Sequence, residues 1–253
     1  MFANVMPMTL NPSIKTLILK YNKFHSVDAS FHFYPELELV DLSCNELVSV
    51  PDKAFISQRK LIELRLGSNK ISQLTERTMS GLARLHSLDL SSNFLEILHD
   101  RVFKPLKNLK ELNLESNRIS EISAHAFTGC SELVSLNLND NLLTEIPAEQ
   151  ISHLSHLAEL KIARNSLHVI SDHSFSKLPS LSILSLSGNT IERVHDRGFS
   201  SVSSVRTLDL SDNHLYQVPT QALQSFHKLE ELYLGQNKFS IIDSGAFKGL
   251  HKH

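Results

Sequence analysis

The feature that most constrains the fold of this chain is an asparagine that recurs at a nearly constant interval. Successive copies are 23 residues apart once and 24 residues apart eight times. Each copy lies in the pattern L-x-x-L-x-L-x-x-N-x-L, which the segment from Leu133 to Leu143 shows in full. Self-similarity at a fixed period of about 20–50 residues is typical of a repeat protein. The ten asparagines are Asn22, Asn45, Asn69, Asn93, Asn117, Asn141, Asn165, Asn189, Asn213 and Asn237.

The alternation of leucines within each copy predicts a short β-strand. Leu136 and Leu138 flank Asn137, and successive side chains of a strand point to opposite faces. We therefore expect the two leucines to point inward and Asn137 to point outward. One repeat cannot bury its own apolar side, so the fold requires the repeats to stack as a solenoid. With strands ~4.8 Å apart, ten repeats predict an arc about 45 Å long.

Two further columns of apolar residues recur in the segments between the strands. An aliphatic residue occupies the fourteenth position of the repeat, and an aromatic or large aliphatic residue follows five positions later. We interpret both columns as core, and we interpret the asparagines as a structural ladder because an amide side chain has two donors and an acceptor for main-chain groups. The first column is Val50, Leu74, Leu98, Ile122, Ile146, Ile170, Val194, Val218 and Ile242. The second is Phe55, Met79, Phe103, Phe127, Ile151, Phe175, Phe199, Leu223 and Phe247.

This pattern resembles the leucine-rich-repeat family over about residues 14–250. The resemblance implies an α/β-type repeat solenoid, a curved horseshoe with a parallel β-sheet on its concave face and irregular or short helical return segments on the convex side. The 24-residue period with a phenylalanine in the return segment is similar to the typical subclass of these repeats. That subclass is found mainly in extracellular proteins such as Toll-like receptors, Slit, small matrix proteoglycans and chaoptin-like adhesion proteins.

The chain departs from the extracellular members at its ends and in its modification sites. We expect residues 1–13 to be a partial cap or part of a preceding repeat, 14–250 to form one domain of ten repeats, and 251–253 to be a truncated end. The cysteine-rich caps of that subclass are not visible, and the sequence has no N-x-S/T glycosylation sequon. A cytoplasmic scaffold or regulatory subunit therefore remains an alternative to a cell-surface receptor, adhesion or matrix protein.

The chemistry-bearing residues give no catalytic or metal site. Cys130 occupies a leucine column, and it lies more than three repeats from Cys44, which is too far for a disulfide. The pairs His153 and His156, and His168 and His173, have spacings seen in metal sites, but we expect them in solvated loops. We find no nucleophile elbow, phosphate-binding glycine loop or zinc-protease motif. We expect no cofactor, no metal and no enzymatic activity.

The outward positions of the strands are free of core packing, and they are where we expect a protein ligand or co-receptor to bind. Across the five outward positions of each repeat there are 12 acidic and 7 basic residues, a net charge of −5. With an overall charge of −2, we expect no binding of nucleic acid. No apolar run is long enough to cross a membrane, and homophilic association is open. The candidate residues are Arg65, Asp89, Glu111, Asn113, Asn137, Asp140, Glu159, Lys161, Arg164, Arg206, Asp209 and Tyr233.

Overall fold

The computed structural model of the protein describes residues 10–250. These residues belong to two compact units, of which the first ends at Leu133 and the second begins at Val134. The terminal segments 1–9 and 251–253, which include most of the predicted partial cap and the predicted truncated end, lie outside the described residues. That residues 14–250 form one domain stays a prediction.

In unit 1, five three-residue strands form a parallel sheet in the order β1-β2-β3-β4-β6. The register advances by one repeat from strand to strand, so that Leu64 pairs with Leu88 and Leu88 pairs with Leu112. Two shorter strands, β5 and β7, pair on the return side. The elements are β1 (Thr16–Ile18), a 3-10 helix (Ala29–Phe33), β2 (Leu39–Asp41), β3 (Glu63–Arg65), β4 (Ser87–Asp89), β5 (Ile97–Leu98), β6 (Glu111–Asn113) and β7 (Glu121–Ile122).

Unit 2 repeats this arrangement with parallel strands in the order β8-β9-β11-β13-β14. Its return side carries the paired short strands β10 and β12 and two single-turn helices. The predicted fold class is thus confirmed as a parallel β-sheet solenoid with few helices. The elements are β8 (Ser135–Asn137), α1 (Ala148–Ile151), β9 (Glu159–Lys161), β10 (Val169–Ile170), β11 (Ile183–Ser185), β12 (Arg193–Val194), β13 (Thr207–Asp209), α2 (Thr220–Leu223) and β14 (Glu231–Tyr233).

The core of each unit is built from the leucines of the strands and the apolar columns of the return segments. Leu136 and Leu138 are fully buried, whereas Asn137 between them is half-buried. The phenylalanine rings of neighbouring repeats stack in pairs, with centroids 6.0 Å apart for Phe103 and Phe127. Each fully buried Leu or Phe side chain contributes about 1.5–3 kcal/mol relative to exposure, so stacking one repeat on the next supplies most of the stability.

The asparagine that follows each strand connects adjacent repeats through main-chain groups. In unit 1, Nδ2 of Asn93 donates to the carbonyl oxygen of Leu90 in its own repeat and to that of Leu66 in the preceding repeat, both at 3.0 Å. Oδ1 of Asn93 accepts from the N–H of Ile71, also at 3.0 Å. Asn189 makes the same contacts in unit 2. The side chain satisfies polar groups that the strand leaves unpaired where it ends.

The chain leaves each strand through a residue with left-handed backbone geometry, immediately before the asparagine. Ser92 has φ of +52° and Gly188 has φ of +65°. Left-handed turns also occur in the return segments, where Gly81 has φ of +96°. There a Cβ would lie 2.6 Å from the carbonyl oxygen of Phe55, so only glycine fits this position. The solenoid therefore depends on repeated local turns as well as on apolar burial.

Repeat ten departs from the predicted core. Ile242 is 55% exposed and Phe247 is 44% exposed, so their assignment to the core is wrong; Val194 is only half-buried. A core position in a solenoid is covered by the repeat that follows it. In the part of the chain that the structure describes, β14 pairs with β13 alone, and nothing covers the outer side of this repeat.

Candidate protein-binding face

The candidate site is the strand face of each unit, by which we mean the five outward positions of each repeat. These are the residue before the three-residue strand, the first and last residues of that strand, and the two residues that follow the inner leucine after it. Unit 1 carries Arg65, Asp89, Glu111 and Asn113 on this face. In unit 2 the remaining candidates lie along the parallel ladder from β8 to β14. They are Asn137, Asp140, Glu159, Lys161, Arg164, Arg206, Asp209 and Tyr233. Tyr233 is the one aromatic residue among the twelve candidates, and it is 49% exposed.

Several strand-centre candidates have a structural role as well as an exposed edge. Oδ1 of Asp89 accepts from the N–H of Ser91 at 2.9 Å, and Oδ1 of Asn113 accepts from the N–H of Glu115 at 3.1 Å. Asn137 and Asp209 accept in the same way from the residues two positions later. All four side chains are half-buried. They brace the turn at the end of the strand, so only part of each polar group faces solvent.

Asp41 is a residue of this face that sequence reasoning missed as a candidate. Its carboxylate is nearly fully buried and accepts from both the N–H and the hydroxyl of Ser43. Burial alone would raise the pKa of Asp41, but the hydrogen bonds from Ser43 and the Arg65 guanidinium outweigh burial and lower it. The recurring Asp-Leu-Ser tripeptide, which also occurs at Asp89 and Asp209, is the sequence signal that could have identified this brace.

Arg65 is held between two carboxylates of unit 1. Its guanidinium lies 2.6 Å from Glu63 and 3.5 Å from Asp41. The hydrogen bond to Glu63 is the main reason that the pKa of Arg65 is raised. Lys15 similarly pairs with Glu38 at 3.0 Å. These ion pairs fix the direction of the cationic side chains and neutralise them locally.

Ion pairs also hold the basic candidates of unit 2. Arg164 pairs with Asp140 through two parallel hydrogen bonds of 2.7 and 2.6 Å. Lys161 lies 2.8 Å from Glu159. Burial would raise the pKa of Glu159, but hydrogen bonds from Lys161 and Ser135 lower it overall. A planar, bidentate pair such as Arg164 with Asp140 is more rigid than a single contact, so this pair presents a preformed surface.

Arg206 pairs with Glu230 in the adjacent repeat. Five of the seven basic side chains of the strand face are therefore in ion pairs with carboxylates of the same face. The acidic side chains outnumber the basic ones by 12 to 7. Among the described residues, the carboxylates of Asp89, Glu111, Asp209 and Glu231 take part in no ion pair. The field of the strand face is consequently negative.

Repeat eight interrupts the charged part of the unit 2 face. Its outward positions are occupied by Ser182, Ile183, Ser185, Ser187 and Gly188. Ile183 is exposed, and the residues around it at these positions have short side chains or none. Charged pairs in the flanking repeats border an uncharged patch, which is an arrangement that suits contact with the side chains of another protein.

The cysteines and histidines do not form a second site. Cys130 is buried and its thiol has a pKa raised by burial to about 12, and Cys44 is partly exposed. Both are free thiols. Within residues 10–250, no three His, Cys, Asp or Glu side chains come together in a way that could hold a metal ion. No helix in the same range is both long and apolar enough to span a bilayer.

Known structures share this fold. A leucine-rich-repeat protein of Leptospira interrogans is 26% identical with a TM-score of 0.68, and the match covers 94% of this chain and 64% of that chain. Mouse RP105, from its complex with MD-1, is 26% identical with a TM-score of 0.84, and the match covers 93% of this chain and 40% of that chain. TLR13, from its complex with ssRNA13, is 23% identical with a TM-score of 0.66, and the match covers 94% of this chain and 42% of that chain. At this identity the likeness shows the fold alone. This chain thus spans less than two thirds of the length of each of the three matched chains.

The sequence family described as leucine rich repeat matches the chain in five overlapping segments. They are residues 35–95, 83–143, 131–191, 155–215 and 203–252. The matches together extend over most of the chain, and their period is that of the paired strands in both units. The chain therefore belongs to the leucine-rich-repeat family.

Proposed function

We propose that this chain is a non-catalytic protein-binding module, the ligand-recognition part of a receptor, adhesion or matrix protein at the cell surface. The observation that carries the proposal is the strand face, where five of the seven basic side chains form ion pairs and the carboxylates are in excess. The partner is a protein ligand or co-receptor whose contact surface is basic, because charge complementarity favours that association. The likeness to RP105, solved in complex with MD-1, supports a receptor role.

The experiment is a comparison of two serine-to-tryptophan variants. Ser185→Trp places a large side chain in the uncharged patch of the strand face, and Ser203→Trp places the same side chain at an exposed position of a return segment. Each purified protein is immobilised and exposed separately to secreted proteins, cell-surface proteins and cytosol. Captured proteins are quantified by mass spectrometry.

We expect a partner from the secreted or cell-surface proteins that Ser185→Trp loses and Ser203→Trp retains. Binding should weaken as salt rises, because screening acts over about 8–10 Å at 0.1–0.15 M. Heparin should not be retained by the immobilised protein, since heparin and the strand face are both negatively charged. A partner found in cytosol alone would instead support the cytoplasmic scaffold. Equal loss in both variants would contradict the strand face as the binding surface.

A further inference from the structure

Unit 2 contains an open groove on its return side, away from the strand face. One part, of about 370 Å³, is lined by β12 and by residues such as Asp172, Leu215 and Pro219. A second part, of about 360 Å³, is lined by Val218–Ala222 and by Ile241–Asp243. The two parts share Val194, Asp196, Gln217 and Pro219. We call these two adjoining parts together the return groove.

The return groove exists because the short sheet of the return side stops at β12. Between β10 and β12, the N–H of His195 donates to the carbonyl oxygen of Ile170 at 2.9 Å. In the next repeat, the residue equivalent to His195 lies 24 positions later and is Pro219. It is the residue that would have to donate to the carbonyl oxygen of Val194. Proline has no N–H, so this hydrogen bond cannot form. The chain turns into α2 instead of adding a third strand.

The carbonyl oxygen of Val194, which lines the groove, is left without a donor. Ile146 and Val218 occupy the equivalent position in other repeats of unit 2, and their carbonyl oxygens do have donors. They accept from the N–H groups of Ala148 at 2.7 Å and of Thr220 at 2.8 Å, respectively. Among the described residues, no donor reaches the carbonyl oxygen of Val194. An unpaired strand edge can hydrogen-bond to an extended chain from another protein.

The side chains of the return groove select for a basic segment. Its carboxylates are Asp172, Glu192, Asp196 and Asp243, against the two guanidinium groups of Arg193 and Arg197. Asp172 accepts from the N–H of Arg197 at 3.1 Å. Glu192 donates its main-chain N–H to the carbonyl oxygen of His168 at 3.0 Å. Within residues 10–250 the side-chain carboxylates of Glu192 and Asp196 form no hydrogen bond or ion pair, so these carboxylates are available to a partner. At the far end, Ile241 and Ile242 are exposed and offer an apolar contact.

We propose that the return groove binds an extended segment of a partner protein, with alternating basic and apolar side chains, which adds to the free edge of β12. The carbonyl oxygen of Val194 accepts a main-chain hydrogen bond from the segment, and Glu192 and Asp196 pair with its Lys or Arg residues. This site is independent of the strand face. A partner could therefore occupy the return groove while a ligand occupies the strands.

The test uses the full chain and three fluorescein-labelled hexapeptides with acetylated ends, and binding is measured by fluorescence anisotropy. The first alternates Val and Lys, the second alternates Val and Glu, and the third is the Val-Lys peptide with alternate amides N-methylated. The groove variant is Glu192→Gln with Asp196→Asn. The matched control is Glu145→Gln with Glu149→Gln, two exposed carboxylates around Pro147 and α1.

We expect the Val-Lys peptide to bind the wild type and the control with the same affinity. Binding should weaken about tenfold in the groove variant, and about tenfold on N-methylation, which corresponds to the loss of one or two hydrogen bonds. The Val-Glu peptide should bind no tighter than the N-methylated one. Failure of the Val-Lys peptide to bind, equal binding to the groove variant, or loss of binding in Ser185→Trp would overturn the proposal.

Discussion

The side-chain nitrogen of Asn93 lies 3.0 Å from the main-chain oxygen of Leu66, one repeat earlier in the chain. This contact connects two repeats through a polar group inside the core, where an unsatisfied donor or acceptor costs about 1–3 kcal/mol. We expect Asn93→Ala to lower the free energy of unfolding by that amount or more. Asn113→Ala, which removes a single half-buried hydrogen bond to Glu115, should cost only about 0.5–1.5 kcal/mol. Urea unfolding of the two variants measures the difference in their free energies of unfolding. Equal midpoint shifts would contradict the distinction between the asparagine ladder, which includes Asn93, and the outward strand positions, which include Asn113.

A second prediction concerns the left-handed turns of the return segments. Gly81→Ala forces a non-glycine residue into the left-handed region and places its Cβ against the carbonyl oxygen of Phe55. We expect a loss of more than about 2 kcal/mol, since the backbone strain alone costs about 1–2 kcal/mol. Gly245→Ala is the control because a Cβ there meets nothing within 4 Å. Thermal unfolding of both variants tests this. A stable Gly81→Ala protein would mean that the turn relaxes easily.

A third prediction follows from the lowered pKa of Asp41. A carboxyl group whose folded pKa lies below its unfolded value stabilises the fold above the unfolded pKa, near 4. The contribution is lost as the pH falls through the lowered folded pKa. Asp41→Asn should therefore be destabilised by ~1 kcal/mol at pH 7, and the difference from the wild type should shrink below about pH 4. Urea unfolding between pH 7 and pH 3 measures the stability difference between the wild type and Asp41→Asn. A difference independent of pH would contradict a lowered pKa of Asp41.

The two cysteines should differ in their reaction with iodoacetamide. Cys130 is fully buried and its pKa is raised to about 12, so almost no thiolate exists at pH 8, and thiolate is the reactive form. Cys44 is partly exposed. We expect one modified cysteine per folded chain, at Cys44, and two after unfolding in urea. Peptide mass spectrometry identifies the sites, and rapid modification of Cys130 in the folded protein would show that its repeat opens easily.

The spacing of the asparagines and the alternation of the leucines predicted the stacked strands and the side of each strand that is buried, and the resemblance to the leucine-rich-repeat family implied that the strands are parallel. This worked because the period of a repeat and the alternation of a strand are both directly visible in the residues. The hydrogen bonds by which Asn113 and Asp89 brace the turn after the strand could not be predicted from these patterns. Alternation gives the direction of the Cβ atom, but side-chain torsions decide whether the carboxylate or amide turns back to the main chain. The return groove depends on a single residue, Pro219, whose effect appears only when the neighbouring repeat is in place.

The strand face as the binding surface is the central proposal, and site-specific photo-crosslinking tests it most directly. p-Benzoylphenylalanine is placed at Ser87 or Ser185 on the strand face, and at Glu76 or Ser203 in the return segments. Each protein is irradiated with the captured partner at physiological salt. We predict crosslinks from Ser87, Ser185 or both, and none from Glu76 or Ser203. Crosslinks confined to the two return-segment positions would contradict the proposal.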